Sequence, residues 1–189
     1  MMSSLSLDSI NFEGFSTSPG WVGYFGKKDT HRYTLSLVDE AVTLTSDFFG
    51  PCWKDFFVIS ALAYTEGEIK DQEIQDAYGA IFENAKKQGY LMPMSSEFES
   101  YLWGDTPLAA SSLSLHFDNS HFSDVCKLVI AHDHICGQVF FMVNMKLKII
   151  LYPHDDLGFG VISLDKSSSL GNDFLDYIIS ASDNFKQGR

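Results

Sequence analysis

Basic residues are scarce in this chain. Its 13 lysines and arginines stand against 25 aspartates and glutamates, which gives a formal net charge of −12 at pH 7. Lys27-Lys28 and Lys86-Lys87 are the only adjacent basic pairs, and no basic stripe accompanies them. Phosphate backbones and anionic lipid repel a strongly acidic protein. We therefore predict that the chain binds neither nucleic acid nor membrane surfaces, and that its charge suits a basic partner protein.

Cysteine is also scarce, and long apolar runs are missing. Cys52, Cys126 and Cys136 are too few for a disulfide framework and cannot all pair with one another, so we predict free thiols in a reducing compartment. No apolar run reaches the roughly 20 residues that a membrane-spanning helix needs. The first residues, MMSSLSLDSINFEGF, have neither the basic start nor the apolar block of a signal peptide. The predicted location is therefore cytoplasmic.

Motifs that carry catalysis or bind nucleotides are absent from the sequence. It contains no GxSxG, HExxH or Walker spacing, and the GFG at 158–160 lacks the further glycines and the lysine of a nucleotide-binding loop. The paired carboxylates Asp39-Glu40 and Asp155-Asp156 are neighbours in sequence, which is typical of solvated side chains that are both ionised. We therefore predict no catalytic residue, no cofactor and no bound metal.

The alternative is a small hydrolase or a metal-dependent enzyme. His132 and His134 are two residues apart, so on a strand both rings would share one face with Cys136. Cys52 follows a Gly-Pro pair, and it would lie at a helix N-terminus, where the dipole favours a thiolate, if residues 53–64 were helical. These residues permit a site, but their spacing matches neither a structural zinc site nor a known nucleophile motif.

Composition indicates one folded domain. Hydrophobic residues make up 45% of the chain and aromatic residues 14%, which is enough to bury a core. Residues 1–20 are rich in serine and are predicted to form an irregular N-terminal segment, while residues 21–189 are predicted to form a single α+β domain. Apolar residues at helical spacing, helped by capping signals at Ser36 and Ser96, predict helices over 37–49, 71–88, 95–103 and 171–185.

Runs rich in β-branched and aromatic residues predict an antiparallel sheet of about four to five strands, packed by several helices and arranged as a meander in the C-terminal half. In MKLKIILY (145–152) lysines alternate with apolar residues, which predicts a strand with one wet face and one covered face. Residues 53–64 are apolar nearly throughout, so their pattern does not separate a strand from a buried helix. The other predicted strands are 21–26, 31–37, 113–117, 126–132, 138–144 and 159–164.

One segment carries a family resemblance. The stretch VFFMVNMKLKIILYPHDDLGFGVISLD (139–165) resembles the closing strands of small bacterial immunity-type proteins, which are antidotes encoded beside toxins of contact-dependent growth inhibition and related systems. In that pattern an apolar strand runs into an aromatic residue, then an acidic pair and a glycine, then a second apolar strand. Here the aromatic residue is Tyr152 and the acidic pair is Asp155-Asp156. Leu157 departs from the pattern, in which an arginine precedes the glycine.

The same turn has a physical explanation that needs no family. Pro153 is expected to end the strand, and Asp155 or Asp156 to bond to the backbone ahead. Gly158 is expected to adopt a positive φ. A well-formed hairpin turn would account for these residues without any binding role.

The resemblance implies an acidic cytoplasmic immunity protein that binds and neutralises a basic toxin domain without any catalytic step of its own. It would block the active site of the toxin, which would be a nuclease or another toxic enzyme, or the access of its substrate. Acidic residues would imitate phosphate, and aromatic residues would supply buried anchors. The partner-binding residues that it implies lie on two turns and around the short helix: Asp155, Asp156, Asp133, Glu97, Glu99, Trp103 and Asp105. Outside such a role they would be ordinary surface residues, or core in the case of Trp103.

Overall fold

The computed structural model describes residues 7–65, 71–131, 135–165 and 167–188, which form an α+β fold. The helices are α1 (Leu35–Phe49), α2 (Gln72–Lys87), α3 (Ser96–Leu102), α4 (Phe122–Ala131) and α5 (Ser169–Ala181). The strands are β1 (Trp21–Lys27), β2 (Phe57–Tyr64), β3 (Met92–Pro93), β4 (Ser114–His116), β5 (Ile135–Asn144), β6 (Ile149–His154), β7 (Gly158–Ser163) and β8 (Phe185–Gly188). Within these described ranges, no helix combines the length and the apolar character needed to cross a bilayer.

Within the described residues, the strands form one mixed sheet of eight strands in the order β3-β2-β5-β6-β7-β1-β8, and β4 also pairs with β2. The β2–β3 pair is parallel, and the other pairs are antiparallel. The predicted C-terminal meander is confirmed as β5-β6-β7. The predicted number of strands was too low, because β3 and β8 are short and carry no alternating apolar pattern of their own.

Both faces of the sheet are covered, as the side chains along β5 illustrate. Phe140 and Met142 belong to a core shared with α1, α2, α4 and α5, whereas Phe141 and Val143 belong to a second core on the opposite face. The N-terminal segment covers part of this second face through Ile10, and α3 with the chain that follows it covers more. Apolar burial on both faces is the main stabilising contribution, at about 25 cal/mol per Å².

The prediction of a half-exposed strand at 145–152 is wrong. Residues 145–148 form the turn between β5 and β6, with Lys148 in the left-handed region at φ 54°, and every residue of β6 is buried. Asn144 fixes this turn, because its Oδ1 accepts hydrogen bonds from two backbone N–H groups of the turn at 3.1 and 3.0 Å. The alternation of lysine and apolar residues therefore belongs to a turn that precedes a buried strand.

Helix caps lie close to their predicted positions. The helix predicted over 71–88 is confirmed as α2, and the Oδ1 of Asp71 caps it by accepting from the backbone N–H groups two and three residues later, at 2.9 and 3.3 Å. The caps of α1 and α3 are Thr34 and Ser95, and the predictions of Ser36 and Ser96 are wrong by two residues and one residue. α1 therefore begins two residues before its predicted start at 37, whereas α3 begins one residue after its predicted start at 95.

Two predicted strands are helical or irregular. The run 126–132, predicted as a strand, lies in α4 as far as Ala131. α4 packs between α1, α2 and the sheet, and most of its residues are buried. Such burial removes the polar positions that would reveal a helical period. Residues 31–34 are irregular and lead into α1, so the strand predicted at 31–37 is also wrong.

Two further predicted segments, 53–64 and 171–185, each contain two different conformations. Residues 50–55 form a 3-10 turn and β2 follows, which resolves 53–64 in favour of a strand. The terminal helix ends at Ala181, not at 185, and Phe185 starts β8 beside β1. Phe185 had matched a helical period, but its buried ring is placed by a strand, 5.3 Å from that of Phe25.

Candidate functional site

A cleft of about 980 Å³ opens on the face of the sheet that carries the second core. Residues between 12 and 16 of the N-terminal segment line one part of it, and residues 101–107, at the end of α3 and beyond, line another. Residues 135–138 at the start of β5 contribute with Tyr24 of β1. The remainder comes from Tyr152 and His154 at the end of β6 and from Asp155 and Asp156 of the turn that follows. The cleft thus joins segments that are far apart in sequence.

Four rings in contact form an aromatic wall along this cleft: Tyr24, His154, Tyr152 and Phe15. Their successive ring centroids are 5.3, 6.3 and 5.1 Å apart, with the planes inclined at 80°, 54° and 78°. Such edge-to-face contacts are favourable for aromatic rings and hold them in fixed orientations. The Nε1 of Trp21 also donates to the hydroxyl of Tyr152 at 2.9 Å, which anchors the centre of the wall.

Two glycines allow the wall to lie flat on the sheet. A Cβ at Gly160 would collide with the ring of Tyr152, its partner across the β6–β7 pair. A Cβ at Gly188 would collide with the ring of Tyr24 across the β1–β8 pair. The rings occupy the space that these glycines leave, which is why the tyrosines cover the strands instead of pointing away from them.

His154 is the buried member of the wall, at 8% exposure. Its Nε2 lies 3.1 Å from the backbone carbonyl oxygen of Phe25, and because a carbonyl only accepts, this nitrogen carries the proton and donates. Burial lowers the pKa of His154, against the opposing charges of Asp156 and Asp155. The imidazole is therefore neutral at pH 7 and adds no positive charge to the cleft.

Four carboxylates line the cleft, and we call Glu13, Asp105, Asp155 and Asp156 the acidic set. Among the described residues that line the cleft, none is a lysine or an arginine. Asp155 and Asp156 are exposed on the β6–β7 turn, and the ion pairs found within the described ranges include neither of them. Lys186 forms its ion pair with Asp29, and the negative charge of Asp156 makes only a smaller contribution to the raised pKa of Lys186. The cleft thus carries uncompensated negative charge.

Tyr101 connects α3 to the N-terminal segment. Its hydroxyl donates to the backbone carbonyl of Phe12 at 2.8 Å. Burial raises the pKa of Tyr101, and the negative charge of Glu13 adds to that rise. The phenol therefore stays protonated at neutral pH and keeps both walls of the cleft together.

The acidic turn differs from its sequence prediction. Leu157, not Gly158, adopts the positive φ, at 64°, and Pro153 lies inside β6 instead of ending it. Gly158 is needed for another reason, because a Cβ there would collide with the carbonyl of Phe25 in β1. The backbone carbonyl of Asp156 accepts from the N–H of Lys27 at 3.0 Å, so β1 holds the turn in place.

The structure brings four of the seven predicted partner-binding residues to this one cleft: Trp103, Asp105, Asp155 and Asp156. Trp103 is 77% exposed, so the core position considered from the sequence is wrong. Glu97 and Glu99 lie exposed on α3 and do not line the cleft. Asp133 lies outside the described residues.

Several lining residues were missed by sequence reasoning, namely Glu13, Phe15, Tyr24, Tyr101 and His154. His154 stands directly before the acidic pair, and that adjacency was the only available signal for it. The other four come from three segments, the N-terminal segment, β1 and α3, and only the sheet order and the packing of α3 bring them together. A single sequence contains no pattern that would link them.

Two residues of the alternative site, Cys52 and Cys136, lie within the described ranges, and they have different surroundings. Cys52 lies in the 3-10 turn at 50–55, not at the start of a helix, and it does not line the cleft. Cys136 does line it, but burial raises the pKa of its thiol. All three cysteines are free, as predicted. His132 and His134, the remaining members of the predicted metal cluster, lie outside the described residues.

A different group of side chains has the composition of a metal site. His154, Asp155 and Asp156 offer ligand atoms within 4.8 Å of one another. They combine one nitrogen and two carboxylate ligands, and exposed carboxylates on a turn have this proximity without any ion. The two carboxylates of this group add to the negative character of the cleft.

Comparisons with known proteins provide no counterpart for this cleft. No protein-family model matches the chain, no curated protein matches it, and no solved structure matches its fold. The immunity-type resemblance therefore depends on residues 139–165 alone, and function has to be inferred from the geometry of the cleft.

Proposed function

We propose that this protein is an acidic, cytoplasmic binding protein of the immunity type, which neutralises a basic toxin domain by covering its active site or its substrate path. The observation that carries this proposal is the cleft, which has four carboxylates and an exposed indole but no lysine or arginine among its described lining residues. Complementary charge is the property by which such an interface selects its partner.

Charge and aromatic surface would have separate roles in this complex. The net charge of −12 draws a basic partner in by electrostatic steering, which mainly raises the association rate. Trp103 supplies a large rigid side chain of the type that dominates interface energies once it is buried. The acidic set therefore determines the association rate and the orientation of the partner, and Trp103 determines the dissociation rate of the complex.

Neutralisation of this kind requires no chemistry from the protein itself. Cys136 is the only thiol that lines the cleft among the described residues, and burial keeps it in the protonated, poorly nucleophilic form by raising its pKa. The Nε2–H of His154 donates a hydrogen bond to the backbone carbonyl of Phe25, which gives this side chain a structural contact. These contacts support a binding protein over a hydrolase.

The first experiment is affinity capture of the partner from the native host, with washes of rising salt and identification of bound proteins by mass spectrometry. We expect one stoichiometric basic domain that survives moderate salt. Enzymatic activity of the captured domain should fall when this protein is added in equal amount. Capture of no basic protein, or of a domain whose activity is unaffected, would contradict the proposal.

Variants then test the cleft as the interface. Asp155→Lys with Asp156→Lys should lower the association rate about tenfold at low salt and weaken its salt dependence. The matched control is Asp173→Lys with Asp176→Lys, which changes the net charge equally on the exposed side of α5, the helix packed on the other face of the sheet. Equal effects of the two pairs would show that overall charge matters and that the cleft is not the contact surface.

A further inference from the structure

We propose that the cleft receives an extended segment of the partner, and that an arginine or lysine of this segment lies against Trp103 and the aromatic wall with its charged group directed to Asp155 and Asp156. This inference rests on the proposed function and adds the mode of recognition. The partner would insert a basic strand or loop into the protein instead of meeting it surface to surface.

The first supporting observation is the exposure of Trp103. It is 77% exposed beside a cleft, and the preceding Leu102 is 38% exposed, so the end of α3 presents apolar surface that the core does not use. Three other exposed apolar side chains, Met92, Leu115 and Phe117, lie on or just after β3 and β4 and do not line the cleft. An indole placed at a concave site is the usual anchor of an inserted side chain.

The second observation is the combination of aromatic rings with carboxylates. A guanidinium or ammonium group is attracted to the faces of tryptophan and tyrosine, and arginine also forms paired hydrogen bonds with carboxylates. Tyr24 is half-exposed in the wall beside the acidic turn, whereas Tyr152 is buried at 5% exposure and supports it. Asp155 and Asp156 are free of ion pairs within the described ranges. The chemistry of the cleft therefore favours a cationic side chain over an anion or a purely apolar group.

The volume of the cleft indicates that it holds more than one residue of the partner. Its volume of about 980 Å³ lies near the upper end of the roughly 300–1,000 Å³ found for ligand clefts. A single cationic side chain or a metal ion would leave most of this space to water, whereas a short stretch of chain would fill it. The acidic set is also spread over three segments, which suits several basic groups along one peptide.

The test uses the peptide acetyl-Gly-Arg-Gly-Arg-Gly-amide, titrated at low salt while tryptophan fluorescence is recorded. We expect saturable binding, about tenfold weaker in Asp155→Asn with Asp156→Asn and unchanged within about twofold in Asp173→Asn with Asp176→Asn. Trp103→Phe should remove the fluorescence change, since Trp21 and Trp53 are less exposed. Trp103→Ala should weaken binding about fivefold, measured by calorimetry.

Two comparisons define what overturns the inference. Replacement of both arginines by citrulline keeps the size and removes the charge. Free arginine keeps one guanidinium group and removes the peptide chain. Both should bind at least tenfold more weakly than the peptide. Equal binding by the citrulline peptide, or equal loss in the cleft and α5 variants, would overturn it. Tight binding of free arginine or of Mg²⁺ at the same carboxylates would also overturn it, in favour of a small-cation site.

The outcomes separate this inference from the proposed function. A captured basic toxin whose binding depends on Asp155 and Asp156 but not on Trp103, together with no peptide binding, leaves the proposed function standing and overturns the inserted segment. Peptide binding that depends on both the carboxylates and Trp103, with no toxin captured, supports the cleft chemistry and contradicts the immunity role.

Discussion

The imidazole Nε2 of His154 donates a hydrogen bond to the backbone carbonyl of Phe25 at 3.1 Å, and this bond links the end of β6 to β1 across the intervening strand β7. The contact holds the end of β6, and with it the start of the acidic turn, next to β1. A buried neutral histidine in this position makes the stability of the site depend on pH.

Acidification should destabilise the protein through His154. Burial lowers its folded-state pKa below the unfolded value of 6.5, so between these two values the unfolded chain binds more protons and stability falls as pH falls. His116, stacked on Tyr90 at 4.0 Å, has its pKa lowered by burial and acts in the same direction. Urea unfolding at pH 7 and pH 5 should show a smaller loss for His154→Gln than for the wild type.

The control for this prediction is His31→Gln, at a half-exposed position outside the sheet. It should lose as much stability between pH 7 and pH 5 as the wild type. Aspartates whose pKa values are lowered, such as Asp118, affect stability only at more acidic pH, because they remain ionised in this window. An identical pH dependence of His154→Gln and the wild type would contradict the role given to His154.

Gly160 should be required because the ring of Tyr152 lies directly over it. Gly160→Ala places a Cβ in that ring and should destabilise the protein by about 1–3 kcal/mol, as overpacking of a filled site does. Denaturant unfolding of the single and double variants measures the coupling between the two positions.

The double variant makes this assignment specific. In a Tyr152→Ala background Gly160→Ala should cost much less, because the ring that it displaces is gone. In a Tyr152→Phe background the ring remains, so the cost should stay close to that in the wild type. Equal costs in all three backgrounds would show that backbone conformation, not the ring, requires glycine.

Ser95 should stabilise α3 as its N-terminal cap. Its hydroxyl accepts from the backbone N–H of Phe98 at 3.2 Å, so Ser95→Ala should lower the free energy of unfolding by about 1 kcal/mol. Ser96→Ala, at the position favoured by the sequence pattern, is the matched control and should change stability by less than about 0.5 kcal/mol. A larger loss of stability for Ser96→Ala than for Ser95→Ala, in thermal or denaturant unfolding, would show that Ser96 is the cap, as the sequence predicted.

Those elements with a clear local signal were predictable from the sequence. The apolar stripe and the early acids of α2 marked it well, and β5 and β7 appeared as β-rich runs because Val, Ile and Phe dominate them. Sequence patterns failed to predict the secondary structure of segments whose conformation depends on tertiary packing. α4 resembles a strand because neighbours bury almost every side of it, and β8 exists only because β1 offers it an edge.

In the candidate site, too, features with a local sequence signal were predictable and those set by tertiary packing were not. Asp155 and Asp156 were predictable because they stand together on a turn between two clear strands, and Trp103 and Asp105 were predictable because they follow a capped short helix. Their convergence on one cleft was not predictable. It depends on α3 packing over the second face of the sheet, which Tyr101 secures through its contact with the N-terminal segment.

Thiol reactivity offers a final test of the cleft, since the three cysteines differ in burial. Cys52 is half-exposed, Cys136 lines the cleft with its pKa raised by burial, and Cys126 is fully buried with its Sγ 3.4 Å from the sulfur of Met142. Alkylation at pH 8, followed by mass spectrometry, should modify Cys52 first, Cys136 more slowly and Cys126 only on unfolding. A ligand in the cleft should slow the reaction of Cys136 and leave that of Cys52 unchanged. Equal protection of both thiols would indicate general tightening of the fold and would contradict occupancy of the cleft.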